Sequence, residues 1–136
     1  MSNGLHEVCG PLVETVGVPA HAAATATELV NIWRAPFACK VRTVEIIPDV
    51  SITGTATNYT DVNLVNAGTD GAGTTELANK DFLSGTNGVA GTAIALYAPA
   101  TYLSVASGVL FKLQLEKVGT GLALPRFFAV ITYEAA

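Results

Sequence analysis

From Phe82 to Phe111 the chain runs about thirty residues without one charged side chain. A membrane helix needs roughly 20 consecutive apolar residues, and this window is broken by Gly85, Thr86, Asn87, Gly88, Gly91, Pro99 and Ser107. Its apolar residues arrive in short bursts between turn formers, which predicts two or three β-strands whose connecting loops are also uncharged. Proteins that stay alone in water coat such loops with Lys, Glu, Asp and Arg. Only 13% of this sequence is charged and 50% is hydrophobic, with a mean hydropathy of +0.44. The surface must then be largely Thr, Ala, Asn, Ser and Gly, which suits a protein covered by other protein.

At 136 residues and 14.0 kDa there is room for one domain with a real core. The net charge of −4 and pI near 4.9 argue against a nucleic-acid partner, because phosphate binding needs a basic surface. Among the basic residues only Lys40 and Arg42 pair up in sequence; two apart in a strand they share a face, either solvated or set in an interface. The start, Met1-Ser-Asn-Gly-Leu-His-Glu7, has neither a basic head nor an apolar segment, so a secretory signal is not expected and synthesis in a host cytoplasm is. No membrane partner is expected. Cys9 and Cys39 lack metal-ligand spacing; in a reducing compartment they read as free thiols, a disulfide being the alternative.

Residues 1–10 carry little pattern and read as an N-terminal arm, and residues 11–136 as the folded domain. Strands are expected over Leu12–Val18, Glu28–Arg34, Ala38–Ile47, Tyr59–Asn66, Ala93–Tyr97, Tyr102–Val105, Val109–Val118 and Arg126–Glu134. Ala20–Thr27 reads as a loop with a helical turn possible, Val50–Asn58 as a loop, and Thr74–Phe82 as a short polar stretch. The cleanest alternation sets Phe111, Leu113 and Leu115 against Lys112, Gln114 and Glu116. In the 38–47 strand, Val44 and Ile46 face one way and Val41 and Ile47 the other, a strand apolar on both faces. Val62 and Leu64 alternate with Asp61 and Asn63, a half-buried strand. About eight strands with no helical periodicity describe an all-β, antiparallel β-sandwich, jelly-roll-like.

Catalytic patterns are missing. His6 and His21 have no spacing partner and read as solvent-facing. No serine sits in a nucleophile elbow, and neither cysteine has a histidine at a family spacing. Gly68-Thr-Asp-Gly-Ala-Gly73 lacks the Gly-Lys-Ser/Thr ending or the following helix of a phosphate loop, so it is a turn. A calcium reading of Asp70 with Asp49 or Asp61 lacks the converging oxygens calcium wants. Asn58-Tyr-Thr60 fits a glycosylation acceptor that the expected compartment would not use. Neither an enzyme activity nor a cofactor or metal is expected. Trp33 reads as core or subunit interface, with a sugar-stacking platform as the functional alternative.

Several phrases together resemble one family. Trp33-Arg-Ala-Pro-Phe-Ala-Cys-Lys-Val-Arg-Thr-Val44, Ile47-Pro-Asp-Val-Ser-Ile-Thr-Gly54, Asn58-Tyr-Thr-Asp-Val-Asn-Leu-Val-Asn-Ala-Gly68, Asp70-Gly-Ala-Gly-Thr74 and Val118-Gly-Thr-Gly-Leu-Ala-Leu-Pro125 are similar to segments of the small head-decoration (minor capsid) proteins of tailed bacteriophages. The resemblance covers Val30 to Tyr133; Met1 to Thr27 matches nothing in it. It implies a β-rich trimer or similar oligomer seated on the capsid exterior, cementing neighbouring copies of the major capsid protein. It carries over no catalytic residue.

The expected role is therefore a structural virion protein with two partners, the major capsid protein and itself as a homotrimer. Leu5, Val8, Trp33, Val105, Val109, Phe111, Phe127 and Tyr133 are the candidate subunit or capsid contacts, chosen for apolar surplus. The rival readings are a carbohydrate- or receptor-binding sandwich, using Trp33 with Tyr59, Tyr97 or Tyr102, and a tail or neck component.

Overall fold

The computed structural model describes residues 10–136. Leu5, His6, Val8 and Cys9, and with them nearly all of the expected arm, lie outside the described residues. The described chain forms nine strands: β1 (Leu12–Val18), β2 (Glu28–Arg34), β3 (Cys39–Pro48), β4 (Tyr59–Asn66), β5 (Thr75–Asp81), β6 (Ile94–Tyr97), β7 (Leu103–Val105), β8 (Leu110–Val118) and β9 (Phe127–Ala135).

Every strand pair is antiparallel. One sheet runs β1-β9-β3-β6 with β7 also on β3, and the other runs β2-β8-β4-β5. With the short β7 set aside, β1 pairs β9, β2 pairs β8, β3 pairs β6 and β4 pairs β5, so each strand meets its mirror image about the β4–β5 turn. The chain is one long nested hairpin. Rolling it up sends alternate pairs to opposite sheets, which is the jelly-roll sandwich the strand count implied. β7 pairs Cys39–Val41 and β6 pairs Val44–Ile46, so together they line one side of β3.

The core lies between the sheets. Phe111, Leu113 and Leu115 are fully buried, as their alternation requires. Trp33 on β2 packs edge-on against Phe111 of β8, centroids 5.1 Å apart, and tilts against Tyr133 of β9 at 5.0 Å. Those rings tie the two sheets together. β9 sits between β1 and β3, so the apolar run Phe127–Tyr133 is an interior strand.

Two readings of single strands change. β3 was expected to be apolar on both faces. A register shift between Val41 and Thr43 makes Arg42 the extra residue of a bulge, which resets the alternation. Cys39, Val41, Val44 and Ile46 then all point into the core, and Ile47 stays half-exposed. β4 was expected to be half-buried, yet every residue from Thr60 to Val65 is buried. It is flanked by β8 and β5, and the 67–74 loop folds back over its outer face, held by Gly73 N donating to Ala67 O and Lys112 Nζ donating to Gly71 O.

β5 forms where the sequence alone predicts only a short polar stretch. Its sequence, Thr-Glu-Leu-Ala-Asn-Lys-Asp, has weak strand propensity; pairing with β4 supplies the order. In the loops, Gly54 and Gly121 are among the glycines required by close approach. A Cβ on Gly54 would run into the carbonyl of Leu83, and one on Gly121, at φ +77°, into the carbonyl of Ala23.

Candidate functional site

The described members of the expected contact set are interior. Trp33, Val105, Val109, Phe111, Phe127 and Tyr133 all belong to the buried core, none more than 8% exposed. Their apolar surplus is consumed inside the chain's own sandwich. A bulge between Asn31 and Trp33 helps, since it lets Ile32 and Trp33 both bury. Surface contacts must use other side chains.

Among the described residues the exposed large apolar side chains are Val13, Leu29, Val50, Val89, Tyr102 and Phe128. Register places several of them on the outer face of the β1-β9-β3 sheet. Ile47, Phe128 and Gly17 form one cross-strand row, Glu45, Val130 and Thr15 the next, and Thr43, Thr132 and Val13 the third. Glu45 is the one charge in those rows. Val50 and Val89 come to the Phe128 end, because Ala90 N donates to Ser51 Oγ, Gly91 N to Pro48 O, and Ile52 bridges Gly88. Sequence alone could have flagged half of this, since of two adjacent strand residues such as Phe127 and Phe128 one must face outward.

The outer face of the β2-β8-β4-β5 sheet is polar. Asn79 Nδ2 donates to Asn63 Oδ1, and Asn63 Nδ2 to Gln114 Oε1 at 3.3 Å, an amide row across three strands. One row along, Asp61 lies between Asp81 on β5 and Glu116 on β8. Burial, then the hydrogen bond and charge of Asp81, then the charges of Glu116 and Glu76, push the Asp61 carboxyl up to about 7. Every charge acting on it is acidic. The sequence hid this because the β4–β5 register was not legible.

Two shallow pockets flank the 68–74 loop. One, of about 150 Å³, is lined by Leu29, Val65, Lys112, Gln114 and the loop. The other, of about 130 Å³, lies between Arg34, Gly108, Leu110 and the loop. Ligand pockets for small molecules enclose roughly 300–1,000 Å³, so neither has the size for one.

His21 corrects its expectation. Its side chain is wholly enclosed, with Nδ1 3.8 Å from Glu28 Oε1 and neither ring nitrogen hydrogen-bonded. Its backbone bridges Leu124, tying the β1–β2 loop to the β8–β9 loop. Cys39 is a free, buried thiol whose ionisation is pushed up by burial.

Other sequence candidates are kept apart. Asp49 is paired with Arg126 at 2.7 Å, Asp70 accepts from Ala72 N within its own loop, and Asp61 faces Asp81. Among the described residues no group of three His, Cys, Asp or Glu is arranged to hold a metal ion. Trp33 is inside, Tyr59 lies on β4, Tyr97 on β6 packs against the core, and Tyr102 bonds Arg42 Nη2 at 2.9 Å. These rings do not assemble into one stacking platform.

No protein-family model and no curated protein matches the chain. Among solved structures, the VP2 subviral particle of infectious bursal disease virus is similar over 92% of this chain and 33% of that one, with 12% identity and a TM-score of 0.43. The Gx strain of the same virus gives 91% and 32% coverage, 12% identity and a TM-score of 0.40. The chain spans about a third of the length of those chains. A likeness of this depth leaves function to be argued from the molecule itself.

Proposed function

We propose that this chain is a structural virion protein that sits on the outside of a bacteriophage capsid and clamps neighbouring subunits of the major capsid protein, working as a homotrimer or similar oligomer. The observation that carries the reading is the outer face of the β1-β9-β3 sheet, where Val13, Ile47, Phe128 and Val130 lie among threonines with Glu45 as the single charge in three rows. Such a face is costly in water and suits protein contact. The uncharged 82–111 segment and the resemblance of its turn motifs to head-decoration proteins support the same reading. Weak contacts repeated by symmetry would resist outward pressure on a shell through multivalency.

The test is sedimentation of purified protein with capsids that lack it, followed by melting of the shells. The protein should pellet with the capsids and raise their melting temperature, because a ligand of the assembled form stabilises it by mass action. Pelleting without any rise would leave decoration and remove cementing. Full-length protein that stays in the supernatant would overturn the reading.

A further inference from the structure

The strands that end the two sheets are β1, β6 and β7 in one and β2 and β5 in the other. All but β1 are guarded against pairing with another chain. β2 carries a bulge and ends on Arg34, β5 carries a register shift and the charges Glu76, Lys80 and Asp81, β6 is four residues long with a register shift within it, and β7 is three residues long. Bulges, short length and charges are the usual devices that keep a sheet edge from adding a strand. β1 has neither a bulge nor a short length, and a single charge. Its seven residues run in unbroken register with β9, Glu14 is its only charge, and no described residue outside β9 hydrogen-bonds to its backbone.

The outer face of β1 also carries a knob and a hole. Val13 projects, 61% exposed. Gly17, on the same face four residues on, has no side chain, and its vacant Cβ position lies 3.8 Å from the Phe128 ring. An antiparallel partner centred on Thr15 sets position 13 opposite 17 and 14 opposite 16. A second β1 satisfies this at both ends. Each Val13 then fills the space above the other copy's Gly17, against its Phe128, and each Glu14 faces a valine and not the other Glu14.

We propose that β1 is a self-recognition edge, at which two copies of this chain join antiparallel about Thr15 into one continuous sheet. The contact is isologous, so it makes a two-fold pair, and strand addition of this kind draws its affinity from main-chain hydrogen bonds. It rests on the reading of the chain as a self-assembling protein and names the surface and the partner.

The test uses the full chain and Thr15, whose side chain points outward and is exposed. Thr15→Lys and Thr15→Glu each set like charges face to face across the two-fold, which disfavours pairing; each should weaken it on the order of tenfold, and an equimolar mixture should restore it. Light scattering reads the outcome as a twofold ratio of mass between wild type and either variant, whatever larger ring the pairs build. Circular dichroism of the variants shows that the sandwich is intact. Equal mass in wild type and both variants, or no recovery on mixing, overturns the proposal. So does an association that survives both variants and disappears when residues 1–9 are deleted, since that segment would then be the occupant of the edge. Capsid sedimentation of the same samples separates the two readings: wild type that pairs but leaves capsids bare sinks the virion reading alone, and wild type that binds capsids without pairing sinks this one alone.

Discussion

Asp61 and Asp81 stand directly opposite each other across the β4–β5 pair, each with a buried carboxylate oxygen. Like charges in register oppose strand pairing, and a proton held on the pair relieves that repulsion. The Asp61 carboxyl loses its proton at about 7, well above its ordinary value of 3.8. The folded form therefore holds that proton more tightly than the unfolded chain does. Its stabilising contribution is complete below 3.8 and is lost as pH rises through about 7. Thermal midpoints should fall as buffer pH is raised across this window. Asp61→Asn keeps a hydrogen-bonding group and removes the charge, so it should flatten that fall and melt on the order of a few degrees above wild type on the alkaline side. Parallel melting curves for the two proteins at every pH would show that the pair does not share a proton.

His21 gives a prediction of the opposite kind to most core substitutions. A buried polar group without a partner costs about 1–3 kcal/mol, and both ring nitrogens are in that position. Its backbone bridge to Leu124 does not depend on the side chain. His21→Leu is therefore expected to raise the urea midpoint, by about 1 kcal/mol in stability. A lower midpoint would mean that the contact with Glu28 outweighs the burial.

Phe111 packs against Trp33 at one end of the ring cluster and is fully buried. Phe111→Ala should cost about 3–5 kcal/mol, a large part of the stability of a domain this size. Denaturant unfolding checks it. A cost below about 1 kcal/mol would mean that the sheets close over the cavity.

Gly54 has no room for a side chain beside the Leu83 carbonyl. Gly54→Ala should destabilise by about 1–3 kcal/mol, the range for overpacking, because the obstruction is backbone and cannot rotate away. Gly85, whose Cβ position is open, is the control for crowding: Gly85→Ala meets only the strain of its φ of +90°.

The strand class and most strand positions are legible in the residues alone. Alternation at Phe111–Glu116, and β-branched runs ended by Pro19, Pro36 and Pro48, follow from the period of two and from the missing proline N–H. Pairing decided the rest. The bulge at Arg42 gathered Val41 and Val44 onto one face, and β4 drew the polar Thr75–Asp81 into a strand it would not form alone. Which apolar residues were surplus could not be read from the sequence either. Trp33, Phe111, Phe127 and Tyr133 are as apolar as Val13 and Phe128, but the first four are enclosed between the sheets and the last two are not. Local sequence fixes which way a side chain points relative to its neighbours in the strand. Only the long-range pairing of β1 with β9 and β2 with β8 decides which of the two faces is covered, and so which residues are left to meet a partner.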